Sequence, residues 1–288
     1  MLKNSIFETL AFFDAQDLAL TAMELKNYLK TDAGPSEIEK CIDQDLRGKA
    51  ENKGGLFFLR GRSELVAKRK QRYQISLLRF RKAKRYLKFL RHLPYLRAVA
   101  LSGSQALLNS ETGSDIDLFI ITKKNRVWIT RALISLYFQI IGQRRHGKHI
   151  ANRFCLNHYL AAGQEIQEDR NLYTAVEYVS LLPVLGSAEL DKFWQANQWV
   201  KEFLPHASFE TKSQFFAFEF SGSQKICETV LDYTVGPALN YLLGRYQKRR
   251  IRKQEYILVS ENELSFHPGS RGQQVLKTYQ NRILDKAV

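Results

Sequence analysis

The sequence has few cysteines and no long apolar run. Its three cysteines, Cys41, Cys155 and Cys227, are far apart, and no two of them form a C-x-x-C pair. This usage is typical of a reducing compartment and excludes a disulfide framework or a zinc ribbon. The longest apolar stretch, residues 132–141, is only half as long as the roughly 20 residues that a bilayer-spanning helix needs.

The chain also lacks the features of a secretory leader. Residues 1–14 include Glu8 and Asp14, and they contain no long apolar run followed by a small-residue cleavage site. We therefore expect a cytoplasmic protein.

Negative charge is scarce relative to positive charge. The chain has 29 Asp and Glu against 44 Lys and Arg, a net charge of +15. Such an excess indicates a polyanionic partner, such as nucleic acid, nucleotide or an anionic lipid surface. Because 44% of the residues are hydrophobic and 12% aromatic, a packed core is expected and predominant disorder is excluded.

Residues 1–72 predict three short helices followed by a hairpin. Thr21 and Glu24 form a capping box for the second helix, and Pro35 stands in the first turn of the third, where proline is tolerated. A Gly-Gly turn before the apolar residues 56–59 is a hairpin signal. This order of elements resembles a winged helix-turn-helix.

The third predicted helix is poorly suited to reading DNA. Its buried positions, by helical spacing, are Ile38, Cys41, Ile42 and Leu46. Its remaining positions carry the four carboxylates of Glu37, Glu39, Asp43 and Asp45. A recognition helix would not present carboxylates to phosphates, so we expect this helix to pack or to contact a protein.

Residues 60–97 contain most of the charge excess. Apolar residues set among the basic ones predict an amphipathic helix that buries one face. Two interpretations remain open. The basic face is either a solvated face of a connecting helix or an electrostatic funnel for RNA, DNA or a triphosphate.

From residue 98 onward, strands and helices alternate. Apolar runs predict three strands, at residues 98–101, 116–121 and 154–160, and helical spacing predicts a helix over residues 125–142. This alternation indicates a small mixed sheet. Beyond residue 168 the pattern becomes mostly helical, with predicted helices at 173–182, 190–203 and 223–232, a basic run at 245–253 and a short strand at 256–259.

The pattern with chemical meaning is Gly103-Ser104, ten residues, then Asp115-Ile116-Asp117. Side chains two apart on a strand share a face, so Asp115 and Asp117 are expected to point together, with Ile116 pointing into the core. Two adjacent carboxylates repel each other unless a hard cation such as Mg²⁺ neutralises them. A glycine allows close approach to a phosphate, which the following amides and hydroxyl can hold.

These residues resemble the signature of the polymerase β nucleotidyltransferase superfamily. The resemblance implies that Gly103 and Ser104 bind the triphosphate of an NTP, and that Asp115 and Asp117 are catalytic and hold Mg²⁺ or Mn²⁺. More widely, the chain looks like bacterial proteins that join an N-terminal winged helix to such a domain. The hairpin at 55–62 and the Phe-His-Pro at 266–268 carry that wider likeness.

The resemblance implies an α+β fold in three parts. Residues 1–72 would form a winged-helix-like domain, residues 73–170 a small mixed-sheet nucleotidyltransferase core, and residues 171–288 a mostly helical region.

The family also implies a third carboxylate on a later strand, and here this chain departs from the pattern. By alternation the inward positions of the strand at 153–159 are Cys155, Asn157 and Tyr159, which places Asn157 where a carboxylate is expected. An amide can ligate a metal or bind nucleotide, but it cannot accept a proton as a base. The carboxylates that follow the strand and could replace it are Glu165, Glu168 and Asp169.

Our leading hypothesis is a metal-dependent nucleotidyltransferase that moves a nucleotidyl group from an NTP to an acceptor hydroxyl or phosphate. The alternative is a catalytically inactive protein of this fold that binds nucleic acid or regulates a partner. The alternative is motivated by Asn157, the winged-helix-like segment and the positive charge. A membrane contact through residues 233–253 is not expected, because Gly236-Pro237 interrupts a short apolar segment.

Overall fold

The computed structural model describes residues 1–208, 218–251, 258–266 and 270–284. Together these residues form a mixed α/β structure around one mixed sheet. In the described part of the chain, no helix has both the length and the apolar character needed to cross a bilayer.

Residues 1–60 form three helices and a hairpin, which confirms the elements expected from the sequence. They are α1 (Leu2–Asp14), α2 (Ala22–Tyr28), α3 (Pro35–Gln44), β1 (Ala50–Lys53) and β2 (Leu56–Leu59). The capping box of α2 is present, since the Glu24 N–H donates to Thr21 Oγ1 and the Thr21 N–H donates to Glu24 Oε2. All four predicted inner residues of the α3 segment are buried.

A 24-residue helix, α4 (Glu64–Leu87), leads to the sheet and ends in a 3₁₀ turn at Lys88–His92. Phe80, Ala83 and Leu87 lie on its buried face, as its amphipathic pattern predicts.

Among the described residues, six strands pair in the order β6-β3-β4-β5-β8-β7. They are β3 (Leu96–Leu101), β4 (Ile116–Thr122), β5 (Phe154–Ala161), β6 (Leu182–Leu185), β7 (Leu258–Val259) and β8 (Glu263–Ser265). β4 and β5 are parallel and are joined by α6 (Val127–Ile140), because parallel neighbours need a crossover connection. The other pairs are antiparallel.

The region beyond residue 171 is less uniformly helical than its sequence suggests. The helix predicted at 173–182 ends at Val179, and Leu182 begins β6, an edge strand paired with β3. Pro183 is tolerated there because an edge strand need not donate on its free side. The predicted strand at 256–259 is present as β7 over its described residues. Residues 252–253 of the basic run, residues 256–257 of that strand and residues 267–268 lie outside the described residues.

Helices cover both faces of the sheet. The remaining ones are α5 (Gly103–Ala106), α7 (Leu172–Val179), α8 (Ser187–Ala196), α9 (Val200–Phe203), α10 (Gly222–Tyr233), α11 (Gly236–Ile251) and α12 (Ser270–Leu284). Ile116, Leu118 and Ile120 pack on the α4 and α6 side. Phe119 and Ile121 pack on the opposite side, in an apolar cluster shared with the N-terminal helices, α7 and α8.

Candidate active site

Gly103 begins α5 directly beside the carboxylate of Asp117. Its φ of +58° lies in the left-handed region, and a Cβ at this position would be 3.0 Å from Asp117 Oδ2. The neighbouring Ser102 N–H donates to the Asp117 carbonyl at 3.1 Å. Both the backbone conformation and the close approach therefore favour glycine here.

Asp115 and Asp117 lie at the start of β4 and share one face of it. Both are half-buried, whereas Ile116 and Leu118 are fully buried on the other face, as alternation along the strand predicts. One ligand atom each of Asp115, Asp117 and Cys155 fall within 4.8 Å of one another. We call these three residues the open cluster.

The Cys155 thiol is the least suitable ligand of the open cluster for a hard cation. Burial raises its pKa, and the nearby charges of Asp117 and Asp115 raise the pKa further. This disfavours the thiolate, which is the form that acts as nucleophile and metal ligand, and a hard cation prefers oxygen to sulfur. The two carboxylates remain as the hard oxygen ligands.

Arg145 neutralises part of the open cluster. Its Nη1 lies 2.6 Å from Asp115 Oδ2 and 3.3 Å from Cys155 Sγ. Sequence reasoning missed this residue, because it lies in the loop after α6 and belongs to no periodic or motif pattern. Its position shows that Asp115 can bind a cation from the cleft side.

Asn157 is placed as the sequence predicts, on the face of the carboxylates. Its Nδ2 donates to Asp117 Oδ1 at 2.8 Å. The expected inward position of Tyr159 is wrong, however. The pairing of β4 with β5 shifts between Asp117 and Phe119, so that His158 follows Asn157 on the same face and Tyr159 is buried on the other. A bulge of one extra residue has this effect.

This bulge places His158 in a second, more deeply buried group, which we call the closed cluster: His158, Glu168 and Glu263. His158 Nε2 lies 3.0 Å from Glu263 Oε1, and its Nδ1 lies 3.8 Å from Glu168 Oε1. Burial acts to lower the pKa of His158, but the charges of Glu263 and Glu168 outweigh it and the pKa is raised. The closed cluster therefore favours the protonated form of His158.

The sequence-predicted site residues all line one cleft of about 570 Å³. This volume is within the range of pockets that hold small-molecule ligands. They are Gly103, Ser104, Asp115, Asp117 and Asn157. Of the three carboxylates that could replace the missing acid, Glu168 and Asp169 line the cleft, whereas Glu165 is exposed and pairs with Arg170.

The cleft has an excess of negative charge. Among the described residues that line it, five carboxylates face only two guanidinium groups, those of Arg145 and Arg271. A triphosphate would be repelled from such a cleft unless cations accompanied it. Arg271 comes from α12 and was not anticipated from the sequence, since it lies more than a hundred residues from the motif.

Three arginines of the basic segment hold the loop that leads to Asp115. Arg69 donates to the Leu107 carbonyl at 3.0 Å, and the buried Arg79 donates to the Thr112 carbonyl at 2.9 Å. Arg72 bonds the side chain of Asn109 between them. Part of the positive charge of residues 60–97 therefore positions the site rather than facing solvent.

Comparison with known protein families, curated proteins and solved structures finds no match to this chain.

Proposed function

We propose that the protein is a metal-dependent nucleotidyltransferase that transfers a nucleotidyl group from an NTP to an acceptor hydroxyl or phosphate. The observation that carries this proposal is that Asp117 lies directly beside Gly103 and within reach of Asp115, and that these residues line one cleft with Ser104. Paired carboxylates beside a glycine that admits close approach are the parts that metal-assisted phosphoryl transfer needs.

The donor set fits a hard divalent cation. Asp115 and Asp117 would hold Mg²⁺ or Mn²⁺, because their oxygens lie within reach of one another and the neighbouring Cys155 is disfavoured as a thiolate. Such an ion, when bound, supplies the positive charge that offsets the phosphate oxygens in a cleft rich in carboxylates.

Other residues of the cleft would bind phosphate, position Asp117 and accept the proton. The Ser104 hydroxyl and Arg271 are the groups available to phosphate oxygens, and Asn157 holds Asp117 in position through its hydrogen bond. Because an amide cannot act as a base, the proton of the acceptor hydroxyl would pass to another carboxylate that lines the cleft, and Asp169, which lies outside both clusters, is the residue we assign to this role.

The test is calorimetric titration of the purified protein with each of the four NTPs, with and without Mg²⁺. We expect at least one NTP to bind only in the presence of the metal. Asp117→Ala should weaken this binding at least about hundredfold, since hydrogen bonds and ligation by a charged group are lost together. Glu165→Ala, which removes an exposed carboxylate outside the cleft, is the matched control and should bind like the wild type.

A transfer assay with α-phosphate-labelled NTP then completes the test. Binding of the metal–NTP complex by Asp117→Ala at wild-type affinity would refute the site. Failure of every NTP to bind would refute the function.

A second candidate function is non-catalytic binding of RNA or DNA through the outer face of α4. The observation in its favour is that Lys70, Arg81, Arg85 and Lys88 are all exposed in the basic segment. Binding through phosphate contacts should then weaken steeply with salt and be independent of Mg²⁺. A shallow salt dependence would contradict it.

A further inference from the structure

Helix α10 attaches to the rest of the protein through polar side chains. Gln224 and Glu228 are buried, and the Gln224 amide donates to the Leu96 carbonyl at 2.7 Å. Glu228 accepts from the Tyr95 N–H at 2.7 Å and from both Nη atoms of Arg97. A surface helix normally turns its apolar face inward. In α10 the inward face is polar.

The outward face of α10 is apolar. Ile226, Val230 and Tyr233, spaced four and three residues apart, share one face of the helix. Their exposed fractions are 68%, 57% and 87%. Side chains of this size are not left in water together without a reason, because each exposes apolar area that burial would stabilise.

Helix α11 repeats the arrangement. Its contact side is partly small or polar: Gly244 packs against the Trp128 ring, and Gln247 donates to the Trp128 carbonyl at 2.9 Å, while Leu243 and Ile251 pack against the core. Its exposed positions include Leu239, Leu242 and Tyr246, which are three and four residues apart and so share a face. We call Ile226, Val230, Tyr233, Leu239, Leu242 and Tyr246 the outer surface of the helix pair.

Gly236-Pro237 does not break either helix. α10 ends at Tyr233 and α11 begins at Gly236, so Gly236-Pro237 lies in the first turn of α11, where proline is tolerated. A Cβ at Gly236 would be 2.5 Å from the Tyr95 hydroxyl, which shows how closely the turn packs on the body of the protein. In the sequence, Gly236-Pro237 interrupts the apolar segment. In the structure, it marks the start of a second helix, so that α10 and α11 both pack on the rest of the protein.

On α10 and α11 the negative charges face the rest of the protein, whereas the positive charges include exposed ones. Their two carboxylates, Glu228 and Asp232, turn inward, and Asp232 pairs with Lys123 at 2.6 Å and with Arg126 at 2.8 Å. Within residues 222–251, all of which are described, no carboxylate is exposed. The exposed charges are those of Lys225, Arg245, Arg249 and Arg250.

We propose that the outer surface docks on an anionic lipid bilayer, with its aliphatic and tyrosine side chains at the headgroup boundary and its basic residues on lipid phosphates. Apolar helix faces flanked by Lys and Arg are typical of interfacial helices, and tyrosine is suited to the membrane interface. A nucleic acid would satisfy the arginines but leave Ile226, Val230 and Leu242 uncovered. A second copy of the chain would bring like charges together.

The test is co-sedimentation of the full chain with vesicles. We expect binding to vesicles made of equal parts phosphatidylcholine and phosphatidylglycerol, little binding to phosphatidylcholine alone, and weakening with added salt. The triple variant Ile226→Gln, Val230→Gln and Leu242→Gln should lower the partition coefficient at least about tenfold. All three side chains are exposed, so the fold should persist, which circular dichroism checks.

The matched control is Leu78→Gln, because Leu78 is 64% exposed on α4, outside the outer surface. It should partition like the wild type. Equal binding by the triple variant and the wild type would overturn the proposal, as would the absence of binding to anionic vesicles. Without vesicle binding, an RNA gel shift or a dimer in ultracentrifugation that the triple variant abolishes would reassign the surface to nucleic acid or to a second copy.

Discussion

The open and closed clusters lie on the same face of the sheet, yet their charges are balanced differently. In the open cluster, Asp115 and Asp117 are half-buried beside the cleft, and the long side chain of Arg145 pairs with Asp115. In the closed cluster, the buried His158 stands between Glu263 and Glu168, and these carboxylates favour its protonated form. A buried charge is tolerated only when it is paired.

The difference separates a binding site from a structural element. The closed cluster is saturated internally: Glu263 also accepts the Gln167 N–H at 2.7 Å, and Glu168 accepts the Tyr178 hydroxyl at 2.7 Å. The charge of the open cluster is offset in part by Arg145, and its carboxylates face the cleft. We therefore expect ligands to act on the open cluster and mutations in the closed cluster to act on stability.

The largest expected effect is on the closed cluster. Glu263→Ala leaves the His158 imidazole and the Gln167 N–H without their carboxylate in a buried place, and breaking such a pair costs about 3–5 kcal/mol. Urea unfolding should show this loss, whereas Asp115→Asn in the open cluster should change the free energy of unfolding by less than about 1 kcal/mol. Similar losses in both variants would remove the distinction between the clusters.

An intermediate effect is expected at Gly103, which supports the open cluster. Gly103→Ala places a side chain at positive φ, at a cost of about 1–2 kcal/mol, and pushes against Asp117 Oδ2. Unfolding should report the cost, and Mn²⁺ binding followed by electron paramagnetic resonance should weaken. The control is Gly113→Ala, where an added Cβ meets nothing within 4 Å. If both variants bind Mn²⁺ alike, Gly103 does not shape the site.

The smallest effect concerns pH. Because the folded-state pKa of His158 is raised, its contribution to stability is complete below about pH 6.5, its unfolded value, and is lost as the pH rises through the folded value. The wild type should lose at most about 1.4 kcal/mol per pH unit in that range, and His158→Gln should lose less. The measurement is urea unfolding from acidic to mildly alkaline pH. A gain in stability on raising the pH would contradict the prediction, because the folded state would then bind fewer protons than the unfolded state.

Patterns of short period made much of the fold predictable. The alternation of Asp115, Ile116 and Asp117 located the carboxylates on one face, and helical spacing predicted the buried face of α3, because each pattern reflects a single element. The edge strand β6 was not predicted. Four apolar residues after a helix can either extend that helix or form a strand, and here the strand forms because it pairs with β3. The α+β class could therefore be predicted from the sequence, whereas the strands at the edges of the sheet could not.

The site was predictable only in part, for the same reason. Gly103, Asp117 and Asn157 follow from a local motif and from alternation. A bulge in β5 places His158, rather than Tyr159, on the face of the carboxylates. The bulge depends on the pairing of β4 with β5, which the sequence of β5 alone does not reveal. Arg145 and Arg271 reach the cleft from a loop and from α12, and no spacing rule connects them to the motif.

The position of α12 has a consequence for how the protein is made. This helix supplies Arg271 to the cleft and packs on α1, where the Tyr279 and Phe12 rings are 5.7 Å apart and Arg282 pairs with Asp14 at 2.9 Å. During synthesis, Asp115 and Asp117 leave the ribosome well before α12, which lines the same cleft. The cleft can therefore be completed only after residues 270–284 have been synthesised. Until then, α1 lacks the contacts that α12 makes with it in the folded protein.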